Sequence, residues 1–367
     1  MKFYLILACI CLFSGTAFAC IWDRDTIRHE AEGIPDILET ISGRFDRYPD
    51  LYFEMRRDRL LPLIEKSPQD LALYDDIAVA YDRLGDSDTA IKWMEKKKVQ
   101  LDLNPDPVHE YRYLANLGTF YAHRWLKTGG DLNDLTDIDT ATELIEKCIE
   151  LNPEAHFGRE KYQLKVLKWI QSHSGPDGNS PIVKPDGMVT KTEKGAPPSE
   201  AVQGFSGLIT LGAAWESVDI FEALAYALQN EGRHHIAWLA SLRVNELVKD
   251  GKQSLTGNPT EGIHYNLVDD RKPLNTYYQA IRTEAQKWQK NRTSFIEQKL
   301  KRGEHPDTHP GFWNDFREKT SPPQPPLKIK KAEVAYGIAW ICLVLGIITV
   351  LAICIMALKR KLRKQRY

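Results

Sequence analysis

Apolar side chains recur at every third or fourth position from Pro49 to about Leu300, and the strict alternation that marks strands is scarce. That spacing predicts amphipathic helices that bury one face each, an all-α body. Two stretches break the rule by being apolar on every side. Phe3 to Phe13 is an unbroken apolar run behind the cation Lys2. It is too short to span a bilayer but suits the core of an export signal. Gly15 ends it, and Ala17 and Ala19 supply the small residues that a signal peptidase accepts, which predicts a cut after residue 19. Val334 to Leu358 holds 25 residues without a charged side chain, more than the roughly 20 a membrane helix needs. Tyr336 and Trp340 stand near one end of it, and Lys359, Arg360, Lys361, Arg363, Lys364 and Arg366 follow the other. The positive-inside rule then puts residues 359–367 in the cytoplasm and the body on the exported side, in a single-pass protein.

Charge sharpens this picture. The whole chain carries −1, but seven cations lie at its two ends, and residues 20–358 alone carry −8. A mildly acidic body argues against nucleic acid as its partner. Of six cysteines, only Cys20 and Cys148 fall in the exported body, so the fold must rest on a packed core. Cys20 would be the new N-terminus after cleavage. It is a candidate for lipidation or for a disulfide with Cys148, although Ala17 and Phe18 fit a lipidation signal only in part.

Punctuation divides the body. Residues 20–69 read as an N-terminal helical cap and 70–172 as repeats. Residues 173–203, rich in Gly, Pro, Ser and Lys, read as a flexible linker. Residues 204–302 form a second helical segment, ending in one long charged helix with Tyr277, Ile281, Trp288 and Phe295 facing a neighbour. Residues 303–333, with Ser321 to Pro326 at their centre, read as a stiff proline-rich stalk before the membrane. The first residues after the cut, Trp22 to Asp25, either dock on the body or stay flexible.

Within 70–172 the spacing is more specific. Tyr74, Ile77, Ala78 and Tyr81 precede Leu84-Gly85, and Ala90 and Met94 follow. Leu114, Leu117, Gly118 and Tyr121 precede Ala141, Ile145 and Cys148, with an insertion around Thr128 to Asp131 between the helices. Both units close with Leu-Asn-Pro, at residues 103–105 and 151–153. A degenerate third unit uses Phe221, Leu224, Ala225, Leu228, Gly232 and Ala237. The pattern resembles the tetratricopeptide repeat. The resemblance implies a helical-repeat solenoid with a concave surface that binds a protein or peptide. It would put Asp75, Val79 and Asp82 of the first unit, and Ala115, Thr119 and Ala122 of the second, on that surface. Family members that grip a terminal carboxylate use Lys and Asn there. The acidic Asp75 speaks against that clamp.

Chemistry-bearing clusters are few. His305-Pro306-Asp307-Thr308-His309 lacks the regular helix that would converge its imidazoles on a metal, and reads as a surface loop. His234-His235 points to two faces of a helix. Asp131, Asp134, Asp137 and Asp139 lack the register of a calcium loop. No phosphate-binding loop, nucleophile elbow or zinc-protease motif occurs. The sequence therefore predicts a non-enzymatic scaffold with no cofactor, no metal and no catalytic residue. A metal-dependent enzyme with a site in 200–320, and an envelope lipoprotein anchored at both ends, are the alternative readings.

Overall fold

The computed structural model describes residues 22–25, 36–152, 159–173, 188–189, 200–212, 214–255 and 271–326. Residues 1–19, read as an export signal, Cys20, the apolar stretch 334–358 and the basic residues after it lie outside these residues. Among the described residues there is no strand, and no helix is long and apolar enough to cross a membrane.

Eleven α-helices are delimited among the described residues. They are α1 (Ile37–Ser42), α2 (Asp50–Lys66), α3 (Leu71–Arg83), α4 (Ser87–Leu103), α5 (Pro107–Lys127), α6 (Thr136–Leu151), α7 (Arg159–Gln171), α8 (Glu200–Thr210), α9 (Val218–Asn230), α10 (His234–Lys249) and α11 (Arg271–Leu300). Their starts are set by local chemistry. Asp70, Asp86, Asp106 and Ser217 accept hydrogen bonds from the first free N–H groups of α3, α4, α5 and α9 at 2.9 to 3.2 Å. Pro107 occupies the first turn of α5, where its missing N–H costs nothing. Gly85, between α3 and α4, adopts φ 93°, a left-handed conformation that a side chain would disfavour.

Small residues let the helices approach. The Leu84-Gly85 turn folds α4 back on α3, and Ile77, Ala78, Ala90 and Met94 share one core with Phe120 of α5. The insertion of the second unit is tied down by Trp125, whose Nε1 donates to the carbonyls of Asp131 and Asp134 at 3.1 and 2.8 Å. The third unit forms the α9–α10 hairpin, with Phe221, Leu224, Ala225, Leu228 and Ala237 all buried. Met188 and Val189, from the stretch read as linker, join the same core.

Each helix from α2 to α10 packs on its successor in the order of the chain, as in a repeat stack. The stack does not stay open. Helix α11 packs back on α1 and α2, so the last helix meets the first. Polar contacts close this seam. Arg282 donates to the Ser42 carbonyl and, at 2.6 Å, to Glu246 of α10. Gln289 reaches the Arg47 carbonyl at 2.9 Å, and Arg292 pairs with Asp46. The indole of Trp215 lies beneath the guanidinia of Arg47, Arg243 and Arg282, 4.0 to 5.2 Å from its ring centre.

Residues 303–326 correct the expectation of a stalk. They lie against the body, with Phe312 1% exposed in a core with Tyr52, Phe53, Ala80, Ile296 and Leu300. The Tyr277 hydroxyl donates to the Pro323 carbonyl at 3.5 Å. Those apolar rings gain more by covering α11 than a free stalk would leave them in water.

Two predictions follow from the seam. Gly43 holds φ 82°, and a Cβ there would stand 2.4 Å from the Trp215 ring. Gly43→Ala combines left-handed strain with overpacking, and is expected to lower unfolding stability by about 2–4 kcal/mol in urea titrations. Burial pushes the Glu246 carboxyl up, but hydrogen bonds from Arg282 and Tyr278 and the charge of Arg243 outweigh it and hold the group down to about 2. A folded-state value below the ordinary 4.5 makes this contribution complete above that value and lost as pH falls through it toward 2. Acid titration followed by circular dichroism should show that loss in the parent chain and a shallower one in Glu246→Gln.

Candidate functional site

The six residues expected on the concave surface are all buried. Asp75 is 2% exposed, Val79 1%, Asp82 4%, and Ala115, Thr119 and Ala122 0%. Helix spacing places them on one face of α3 and one face of α5, and those faces are covered rather than open to a partner. The carboxylate of Asp75 takes two bonds from the buried Lys97 ammonium, at 2.7 and 2.8 Å, and one from Asn116 at 3.0 Å. Asp82 accepts from Ser87 at 2.7 Å and meets His123 Nδ1 at 2.6 Å. Burial raises the Asp82 carboxyl, and the charges of His123 and Lys127 overcome it and hold the group well below the usual carboxylate range. Gln163 of α7 donates to Thr119 at 3.0 Å. Val79 lies in the core with Phe120, and Ala122 in the core with Ile145 and Phe221.

Part of the cover is the chain's own N-terminal segment, Trp22 to Asp25. Asn116 brackets the peptide groups around Trp22, accepting from its N–H at 2.7 Å and donating to its carbonyl at 3.0 Å. The indole, 3% exposed, sits among Tyr111, Leu114, Ala115 and Cys148, edge-on to Tyr111. The guanidinium of Arg159 lies 5.4 Å from its ring centre. Arg24 binds Asp76 of α3 through its backbone N–H at 3.0 Å and its Nε at 2.7 Å.

Asp23 and Asp25 point to Arg56 of α2, which is wholly buried and lies 3.2 and 2.8 Å from their oxygens. Arg56 also makes two bonds, at 2.9 and 2.8 Å, to Asp307. Burial alone would depress the guanidinium, but the surrounding carboxylates raise it well above its ordinary value. The Tyr52 hydroxyl donates to Asp25 at 2.8 Å and accepts from Arg56. Arg59 caps Asp307 from outside.

Magnitudes show what holds the segment. Burying an indole of roughly 150–250 Å² contributes on the order of 4–6 kcal/mol. Ordering four backbone residues costs roughly 4–8 kcal/mol. The indole alone only balances the ordering, so the Asn116 bracket and the ion pairs decide whether the segment docks.

The His305 to His309 stretch, read as a surface loop, is drawn inward by this network. His305 is 3% exposed, with Nε2 donating to the Tyr52 carbonyl at 3.1 Å and Nδ1 accepting from the Asp307 N–H at 3.1 Å. Those partners fix a neutral imidazole with both nitrogens engaged. Burial lowers its affinity for a proton further. Asp307 is committed to arginines. The insertion aspartates serve local structure: Asp137 pairs with Arg124 at 2.6 Å, and Asp134 accepts from Thr136 at 2.8 Å. Among the described residues no group of three or more His, Cys, Asp or Glu is arranged for a metal. Burial pushes the Cys148 thiol above its ordinary value, so it stays protonated and unreactive. Its suggested partner Cys20 lies outside the described residues.

Beside the segment, a cleft of about 470 Å³ is lined by Asp23, Asp25, Arg47, Tyr48, Arg83 and Trp215 among others. Arg83 spans its floor to the carbonyls of Leu211 and Gly212 at 3.2 to 3.3 Å.

Asn116 and Arg56 are the residues that sequence reading missed. A lone asparagine in an apolar helical face was the available signal, since a buried amide needs partners. Arg56 sits on the same face of α2 as Tyr52 and Leu60, a position where an unpaired charge would be untenable.

This architecture, a stack of helical hairpins with one face covered by the chain's own segment Trp22 to Asp25, is that of a helical-repeat scaffold. Residues 71–96, which span α3 and most of α4, match the tetratricopeptide repeat. No curated protein and no solved structure matches the chain at a significant level.

Removing one carboxylate from Arg56 leaves a buried charge under-compensated. Asp307→Ala is expected to cost about 3–5 kcal/mol of stability, read as a lowered urea midpoint.

Proposed function

We propose that this chain is an exported, membrane-anchored scaffold whose helical-repeat body binds a protein or peptide outside the cytoplasm. The repeat at 71–96 carries the binding half of this reading, because repeats of this kind generally mediate contact with protein partners. The inner face adds support, since it already holds the segment Trp22 to Asp25 through backbone-directed and side-chain contacts. The anchoring half rests on the sequence: the apolar run behind Lys2, the uncharged stretch 334–358 and the six cations after it. In this reading residues 334–358 cross the membrane, the body lies on the exported side, and residues 359–367 face the cytoplasm. No catalytic role is assigned to any residue.

Two measurements test it. Protease added outside sealed cells should digest the body and leave a short C-terminal fragment protected. Digestion of the tail with protection of the body would reverse the topology. Full-length protein extracted in mild detergent should retain a stoichiometric protein partner that a chain of residues 321–367 alone does not. Equal recovery by both, or none after crosslinking, would remove the scaffold reading.

A further inference from the structure

The segment Trp22 to Asp25 is held as a separate peptide would be held. Asn116 reads backbone, through one accepted and one donated hydrogen bond around Trp22. An apolar pocket of Tyr111, Leu114, Ala115 and Cys148 takes the aromatic ring. Asp76 takes the arginine, and Arg56 takes the acids on either side of it. Positive and negative sites alternate along the cleft in step with the segment's own alternation of acid, arginine and acid. None of these contacts passes through the covalent connection to the rest of the chain. Arg24 remains 36% exposed, so this end of the cleft faces solvent.

We propose that the cleft between α2, α3 and α5 is a binding site for a short peptide of the pattern aromatic–acid–arginine–acid, filled here by the chain's own residues 22–25 and able to take the same sequence from another molecule. This deepens the scaffold reading and rests on it. The segment belongs to the same chain as its site, so it competes intramolecularly with any free peptide of the same pattern. A partner carrying the pattern therefore binds by displacing it. Once displaced, the segment also uncovers Asn116, Asp76 and Arg56, whose buried polar groups need a replacement partner. The site thus favours exchange over standing empty, and it selects for peptides that restore both the ring and the charges.

The probe is a fluorescein-labelled peptide of residues 21–26, read by fluorescence anisotropy against the full-length chain in detergent. The double variant Trp22→Ala with Arg24→Ala weakens the tethered competitor and should bind the peptide at least tenfold more tightly than the parent chain. A peptide in which the tryptophan and arginine are both alanine should show no binding. Circular dichroism and thermal melting establish that the variant is folded. Should the double variant unfold, Arg24→Ala alone, at the solvent-facing end, is read the same way with a smaller expected gain. Absence of binding to a folded variant, or equal binding of both peptides, overturns the proposal and makes residues 22–25 a fixed part of the core. That result would leave the partner capture described above standing or falling on its own outcome.

Discussion

A guanidinium taken wholly out of water must be met by carboxylates, and in this chain the carboxylates that meet Arg56 come from its two extremes. Asp23 and Asp25 precede every repeat, and Asp307 follows every one of them. The three negative charges would repel one another without Arg56, and Arg56 would not survive burial without them. Arg24 and Arg59 complete the balance, the first also tying Asp76 into the cluster. A single buried point therefore requires that the first and last described segments lie side by side on α2. Ion pairs of this kind add little net stability against apolar packing, but they fix which segments meet.

That requirement changes what a repeat stack means here. An open solenoid exposes its inner helices along their length, and its terminal units need polar caps. In this body α11 returns to α1 and α2, and Arg44, Gln289 and Arg292 fasten the return to the loop after α1. The closure removes two exposed ends at once. It also leaves the inner face of α3 and α5 with little solvent of its own, which is why Asp75 and Asp82 appear as satisfied buried acids rather than as open contacts. Lys97, His123 and Ser87 come from the outer helix and the next unit to satisfy them.

The same logic explains the terminal stretches. Residues 303–326 carry Phe312, Trp313 and Phe316, which pack around Phe295 of α11 at ring distances of 5.2 to 5.9 Å, Phe312 edge-on and Trp313 stacked. Proline-rich composition favours an extended chain but says nothing about whether that chain stands free or lies along a helix. The aromatic residues decide it, because α11 offers them an apolar face. The segment Trp22 to Asp25 follows suit: its indole has a pocket, its backbone has Asn116, and its charges have opposite charges in reach.

The sequence by itself determined the helices, their caps and the pairing of neighbours. Periodicity at three and four residues, Asp or Ser at the starts, and glycine turns are local properties, and short connections force consecutive helices together. The repeat was legible for the same reason, since Ala78, Gly118 and Ala141 stand where two backbones must approach closely. Only the tertiary structure decided what covers the inner face. Nothing near Arg56 in the chain names Asp23 or Asp307, which lie 33 and 251 positions away. Nothing near Asn116 names Trp22, 94 positions away. A residue's type tells what partner it needs, but for a buried charge or amide the partner is supplied by whatever segment the closed fold brings within three ångströms, and that is set by the packing of the whole chain.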